Sequence, residues 1–431
     1  MLVQFSVKNF KTFKDKATLS LVASNYDKSD LELSNVFEVT NYSHRLLKSS
    51  VVFGANASGK TKFIDAIAFM RSLIINSSTG TQDGDEINVD NFKFNAESEN
   101  TCTEFEIIFI IDKSQYRYGF EITRKKVVSE WLYQKRLNLK PKEIELIFRD
   151  ETGIDLHSSF KKVELLDKEF DGIIRDNALI LSIANQFKVK EAKEIVIFFR
   201  RMGFLLGNEP SMYQDFSLSE ISKKSSLGRK IIETLKRFDI GLNDLNVNEV
   251  KLENDKRFSK EIISKLSLSN NNEITFFEAE AVHKLYDTDY NFVKNKNLDF
   301  DQESAGTKKL LSLLGPIYES LSSGDLLFVD ELDSQLHSNI VSHLINLFNS
   351  KVTNPKNAQL IFNTHNTNLL NEKLFRRDQV WFTEKNRYGE AKLFSLADFK
   401  ARKEDNFEEK YLDGRYGGVP FLEDISNLLY K

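Results

Sequence analysis

At 431 residues the chain exceeds one ordinary domain, which leaves one large α/β domain with an insertion or two to three smaller domains. Hydrophobic residues make up 41% and charged residues 29%, a globular balance that excludes long disorder, and a formal charge of −4 excludes a chain that coats nucleic acid or anionic membrane by its overall field. The lone Cys102 excludes a disulfide framework, the six histidines show no zinc spacing, and no run approaches the roughly 18 uncharged apolar residues of a membrane helix, so a reducing, cytoplasmic setting is expected.

The opening MLVQFSVKNFKTFKDK alternates apolar and polar positions at Val3, Phe5 and Val7 and soon becomes basic, which reads as a strand and not as a signal peptide. Leu19, Leu21 and Val22 begin a second such run, so an antiparallel hairpin is expected. The apolar run LLKSSVVF, residues 46–53, ends at Gly54 and predicts a buried strand feeding a glycine loop. From Gly59 onward, Phe63, Ile67, Met70 and Ile74 recur at helical spacing. Strand-like runs follow at 104–111, 116–123 and 127–133. Between 161 and 245 the pattern turns helical, as in KEAKEIVIFFRRMGF and SLGRKIIETLKRFDI, without the sustained heptads of a coiled coil. From 246 strands return and then alternate with helices through 326–330 and 359–363. The expected organisation is a first lobe at 1–160, a compact helical insertion at 161–245 and a second lobe at 246–431. The fold class is α/β, with a mixed sheet and an antiparallel β subdomain.

Gly54-Ala55-Asn56-Ala57-Ser58-Gly59-Lys60-Thr61 satisfies G-x-x-x-x-G-K-[ST] between a predicted strand and a predicted helix. Glycines at those places let successive backbone N–H groups turn inward around the phosphates of ATP, where the helix dipole adds positive potential. Lys60 would reach the β and γ oxygens, and Thr61 would offer its hydroxyl to Mg²⁺. A turn that matches by accident is the bland alternative, and the flanking strand and helix count against it.

The apolar run 326–329 ends in Asp330-Glu331, the form of a buried parallel strand that delivers two carboxylates to a ligand crevice. Asp330 would hold Mg²⁺ through water, and Glu331 would orient and deprotonate the attacking water. Acidic residues also follow strands merely to face solvent; an intact phosphate loop in the same chain favours the catalytic role. Upstream, Ser304-Ala305-Gly306-Thr307 precedes the periodic LLSLL, placing Ser304 and Gly306 at a second anion-binding helix start. Gly315-Pro316 should kink or restart that helix. Downstream, QLIFN leads to Thr364-His365, which puts an imidazole beside the same sheet edge, within reach of a γ-phosphate.

The order of phosphate loop, serine-glycine signature, Walker B acidic pair and switch histidine resembles the ABC ATPase superfamily, and within it the RecF/SMC-like branch. FSVKNFKTFKD resembles that branch's first hairpin, GANASGKT resembles its GxNGSGKS loop with Ala57 replacing one glycine, and VDELDSQLH resembles its Walker B and D-loop. The stretch YLDGRYGGVPF, Tyr411 to Phe421, resembles the tail of standalone bacterial ATPases of phage-defence and abortive-infection operons. The likeness covers roughly 1–125 and 285–421. It implies an ATP- and Mg²⁺-dependent hydrolase that closes as a homodimer or higher homo-oligomer, with Ser304 and Gly306 acting in trans on the partner's γ-phosphate and Asp333 at the seam. The signature reads SAGT where SGGQ is common. A Q-loop glutamine is not evident: Gln82 lies close to the loop region, with Asn91 to Phe94 an alternative, and Phe10 or Phe13 near the first hairpin is either an adenine-stacking aromatic or, as is more common, a core residue.

An effector encoded beside the chain in an antiphage system is the expected partner, since the stretch after His365 is shorter than an ordinary nuclease domain. DNA is the rival partner, through the basic pairs Lys125-Lys126, Arg200-Arg201 and Lys223-Lys224 in a repair or chromosome-maintenance ATPase. A scaffold that binds ATP without turnover is the third reading, and a transporter engine the least favoured.

Overall fold

The computed structural model describes residues 1–27, 30–137, 142–169, 173–207, 210–238, 240–251, 275–370, 374–399 and 405–420. Phe421, the end of the tail motif, lies outside them, as does 252–274 of the expected second lobe. The chain forms two compact units, one built from Met1–Phe204, Gly324–Leu332 and the described residues from Ser342 onward, the other from Leu205–Ser323 and Asp333–Val341. The helical stretch 161–245 contributes to both: Lys161–Glu169, Ile180–Gln186 and Lys190–Arg200 belong to the first unit, Pro210–Ser222 and Ser226–Arg237 to the second.

In the first unit an antiparallel sheet of seven strands runs in the order Gly153–Leu156, Glu143–Asp150, Val127–Arg136, Ser114–Ile122, Thr103–Ile111, Leu2–Lys8, Ala17–Ser20. The expected opening hairpin is present, with Gln4 opposite Ser20 and Val7 opposite Ala17. Alternation decides its faces: Phe105, Ile107 and Phe109 are buried while Glu104, Glu106 and Ile108 are only partly covered. The first two strands of that order extend the sheet beyond the runs that periodicity picks out.

A second sheet, mostly parallel, has the order Gly203–Leu205, Leu326–Val329, Gln359–Asn363, Ser49–Gly54, Val380–Lys385, Ala391–Ser395, only the last pair being described as antiparallel. The run 46–53 is not one strand. Leu46 and Leu47 close a small hairpin with Val36–Glu38, and the strand proper is Ser49–Gly54. The break falls at Lys48, whose N–H donates to Asn35 and whose buried ammonium donates to the Asn349 carbonyl at 3.3 Å. Burial pushes that ammonium down to about 8, with Lys351 adding like-charge repulsion. After the glycine loop, helix Lys60–Asn76 buries Phe63, Ile67, Met70 and Ile74, the stripe its spacing predicts.

In the second unit, helices Pro210–Ser222 and Ser226–Arg237 accompany a three-stranded sheet, Asp244–Lys251, Thr275–Tyr286 and Phe292–Asp299, and the long helix Ala305–Ser323. That helix is assigned unbroken through Pro316, so the expected restart does not occur. The Ser217 hydroxyl donates to Leu311 C=O at 2.7 Å and accepts from Gly315 N–H at 3.2 Å, standing between the two groups an undisturbed helix would pair. A Cβ at position 315 would lie 2.4 Å from that hydroxyl, so only glycine admits it. The helix thus accommodates proline by borrowing a neighbour's hydroxyl one residue earlier.

Candidate active site

The parallel strands of the first unit end together, Leu326–Val329 beside Gln359–Asn363 beside Ser49–Gly54, with Val329 opposite Phe362 and Asn363 opposite Val52. Loops leaving the carboxyl ends of such strands form the ligand crevice of an open α/β sheet. The phosphate loop leaves the third of these strands. A Cβ on Gly54 would stand 2.4 Å from Thr383 Oγ1 and 2.6 Å from Ser58 Oγ, so glycine is required by space; Ser58 and Thr383 then share a 2.6 Å hydrogen bond. Ala57 takes φ 60 and Gly59 φ 115, both left-handed, and a side chain at 57 costs the loop about 1 kcal/mol relative to glycine. This is the physical content of the Ala57 replacement.

Lys60 is buried, and its ammonium donates to the Gly54 carbonyl at 2.7 Å and the Ala55 carbonyl at 3.0 Å, lying inside the loop. The helix it begins is 17 residues long, and its N-cap, Gly59, supplies no side-chain cap. Its amino end therefore presents backbone N–H groups to the crevice, which suits a phosphate. Thr61 Oγ1 donates to Asp330 Oδ1 at 2.9 Å. A hydroxyl beside one buried carboxylate is a hard oxygen donor set that fits Mg²⁺ shared with phosphates and water, and among the described residues no cluster of three or more acidic, histidine or cysteine side chains offers an all-protein cage.

Asn363 is the residue that sequence reasoning missed. Fully buried, it donates from Nδ2 to Asp330 Oδ1, accepts the Glu331 N–H on Oδ1 at 2.7 Å, and accepts the Leu332 N–H on its carbonyl at 3.2 Å. Glu331 has φ 51, a left-handed conformation costly for a residue with a Cβ, and this amide helps hold it there. One side chain thereby holds the Asp330 carboxylate and the Glu331 backbone. The available signal was a polar residue closing the apolar strand QLIFN. Asn363→Ala leaves the Glu331 N–H without this acceptor and Asp330 without this donor, and is expected to lower stability by about 2–4 kcal/mol in urea unfolding.

The loop after this strand carries His365, exposed to solvent two residues past Asn363, while Thr364 is buried and its N–H donates to Val52 C=O at 3.2 Å. Gly54 to Thr61, Asp330, Glu331 and His365 thus gather at one sheet edge. Ser304, Gly306 and Asp333 belong to the second unit. Ser304 is exposed and accepts the Thr307 N–H at 3.1 Å, capping helix Ala305–Ser323. A Cβ at Gly306 would meet the Gln335 carbonyl at 2.8 Å, so this glycine permits the signature helix to approach the loop that carries Asp333. Asp333 accepts Leu336 N–H on its carbonyl, and its Oδ1 is buried without a hydrogen-bond partner.

Phe10 and Phe13 are core residues: Phe10 packs on Phe69 and Phe105, and Phe13 sits edge-on to Phe63. Neither is an exposed platform for adenine. Gln82 is engaged through its backbone, donating to Asp85 and accepting from Asn177, and Asn91 donates to the Thr101 carbonyl.

A family described as "AAA domain, putative AbiEii toxin, Type IV TA system" matches residues 49–371, from the first residue of strand Ser49–Gly54 past His365. The chain belongs to this AAA family. That assignment agrees with the ABC-type, abortive-infection likeness carried by its motifs. Among solved structures, the AAA-family chain is similar to an SMC head bound to the C-winged helix domain of ScpA, at 14% identity over 91% of this chain and 97% of that one, with a TM-score of 0.44. It is also similar to the SMC head domain from Thermotoga maritima, at 12% identity over 91% and 98%, TM-score 0.39. The recombination mediator RecF of the RecFOR pathway follows, at 12% identity over 91% and 98%, TM-score 0.30. No curated protein sequence matches it. No helix among the described residues of this AAA-family chain is long and apolar enough to cross a membrane.

Proposed function

We propose that this chain hydrolyses ATP with Mg²⁺ and that two copies close on the nucleotide to control a partner effector in antiphage defence. The observation that carries the hydrolytic reading is the linked set Thr61, Asp330, Asn363 and Glu331 beside the phosphate loop. Bound Mg²⁺ would neutralise charge developing on the transferred phosphoryl oxygens. Backbone N–H groups from Gly54 to Lys60 would cradle the phosphates, the Lys60 ammonium would contact the β and γ oxygens, and Thr61 with Asp330 would hold the metal. Glu331 orients the attacking water and accepts its proton, in a backbone geometry steadied by Asn363. His365 contacts the γ-phosphate from the neighbouring strand end.

The signature supports closure with a second copy. Ser304 is exposed at a helix start, where its hydroxyl and the adjacent N–H groups suit the partner's γ-phosphate, with Asp333 at the seam. We further propose that the helices of 161–245 are an insertion in the ATPase head and that the protein works in the cytoplasm. The family's description as a putative toxin of a type IV system favours a defence setting. The DNA-binding alternative would use Lys125-Lys126, Arg200-Arg201 and Lys223-Lys224, of which Arg201 is ion-paired with Asp325 at 2.9 Å and Lys223 lies 3.8 Å from Glu220. A non-hydrolysing scaffold is disfavoured by the presence of a carboxylate, Glu331, directly after Asp330.

ATP hydrolysis per subunit, measured against protein concentration, tests this reading: the specific rate is expected to rise as subunits pair. Ser304→Arg is expected to keep nucleotide binding and to lower hydrolysis by about 10²-fold, by obstructing the trans contact. Unaltered turnover in that variant would remove the dimeric mechanism.

A further inference from the structure

The C-terminal stretch Tyr411 to Gly418 lies against the strand end that opens the phosphate loop. A first side-chain carbon on Gly418 would stand 3.2 Å from the Thr383 carbonyl oxygen and 3.7 Å from Gly54 Cα. Thr383 in turn packs on Gly54 and hydrogen-bonds Ser58, so the tail, Thr383 and the loop form consecutive layers. The sequence accounts for the fit. Helix Phe407–Leu412 is capped by Asn406, and Gly414, Gly417 and Gly418 at φ 75, 68 and 70 reverse the chain through left-handed turns. Tyr411 and Tyr416 stack on Phe382 at 5.1 and 5.8 Å, and both Phe382 and Tyr411 lie 6.2 Å from Phe53, the residue before Gly54. The Tyr411 hydroxyl donates to Gly418 C=O at 3.0 Å, and Gly418 N–H donates to Glu384 Oε1 at 3.4 Å. Burial pushes the Tyr411 phenol up to about 12, so it remains a neutral donor at physiological pH.

We propose that Tyr411–Gly418 is a positioning element for the phosphate loop and sets the affinity for nucleotide phosphates. This rests on the ATP-binding reading. The loop binds through backbone N–H groups, whose aim depends on where Gly54 leaves its strand, and Gly418 meets the loop there. Hydrolysis should be less affected. Asp330 and Glu331 follow, and Asn363 ends, the strands on the opposite flank of Ser49–Gly54 from Val380–Lys385, where the tail sits.

The test is calorimetric titration of the full chain with Mg·ATP and with Mg·ADP, beside steady-state hydrolysis, in Tyr411→Phe, Gly418→Val and Lys60→Ala. Gly418→Val is expected to weaken both nucleotides by about tenfold, through displacement of the loop. Tyr411→Phe keeps the aromatic stack and loses one hydrogen bond, so a loss of about threefold is expected. KM should rise in step with these losses while kcat stays within about twofold of wild type, a split that loss of folded protein would not give. Should Gly418→Val fail to fold by circular dichroism, Tyr411→Phe decides alone. Wild-type affinity in folded Tyr411→Phe, with Lys60→Ala weakening binding by about 10²-fold, overturns the tail's role and leaves the ATP-binding reading standing. No Lys60-dependent ATP binding in wild type overturns both.

Discussion

Glu331→Gln is expected to bind ATP as wild type does and to lose hydrolysis by about 10³-fold, because only the group that accepts the water's proton is removed. The substitution is nearly isosteric. The contact that helps hold residue 331 at φ 51 runs from its own backbone N–H to Asn363 Oδ1, so it survives the change of side chain. Asp330 keeps its bonds to Thr61 and Asn363, and the proposed metal site is undisturbed. Phosphate release under saturating ATP, with light scattering to size the complex, checks this: the variant should accumulate a closed dimer in ATP. Wild-type turnover would exclude Glu331 as the base.

Lys60→Ala is expected to weaken nucleotide binding by about 10²-fold, since an ammonium contacting two phosphate oxygens contributes charge-assisted hydrogen bonds of roughly 1.5–3 kcal/mol each. Stability without nucleotide should change as well. The same ammonium bridges the Gly54 and Ala55 carbonyls from a buried position, so its removal takes two internal contacts from the loop. Titration with Mg·ATP reads the first effect, and chemical unfolding without nucleotide reads the second. A variant that binds ATP normally would place the phosphates elsewhere.

The glycine loop was legible in the sequence because its motif is eight consecutive positions, Gly54 to Thr61, between an apolar strand and a periodic helix. The opening hairpin and helix Lys60–Asn76 were legible for a similar reason: periods of two and of about 3.6 residues reveal which face of an element is apolar. Lys48 shows the limit of that signal. An apolar run tolerates one buried lysine when a carbonyl such as that of Asn349 accepts from it, and the strand boundary moved accordingly. Phe10 and Phe13 show it again, since an aromatic in a binding pocket and one in a core have the same local pattern.

By itself, the sequence determined which groups are available for the proposed chemistry: a glycine loop, a hydroxyl and two carboxylates. Only the tertiary structure decided what holds those groups in place. Asn363 reaches Asp330 and Glu331 across 33 and 32 residues, and the tail reaches Gly54 from the far end of the described chain. The bond between Ser217 and Leu311, which lets the signature helix run through Pro316, spans 94 residues. Each of these contacts depends on which strands and helices lie side by side, and local periodicity records an element's buried face without recording its neighbour.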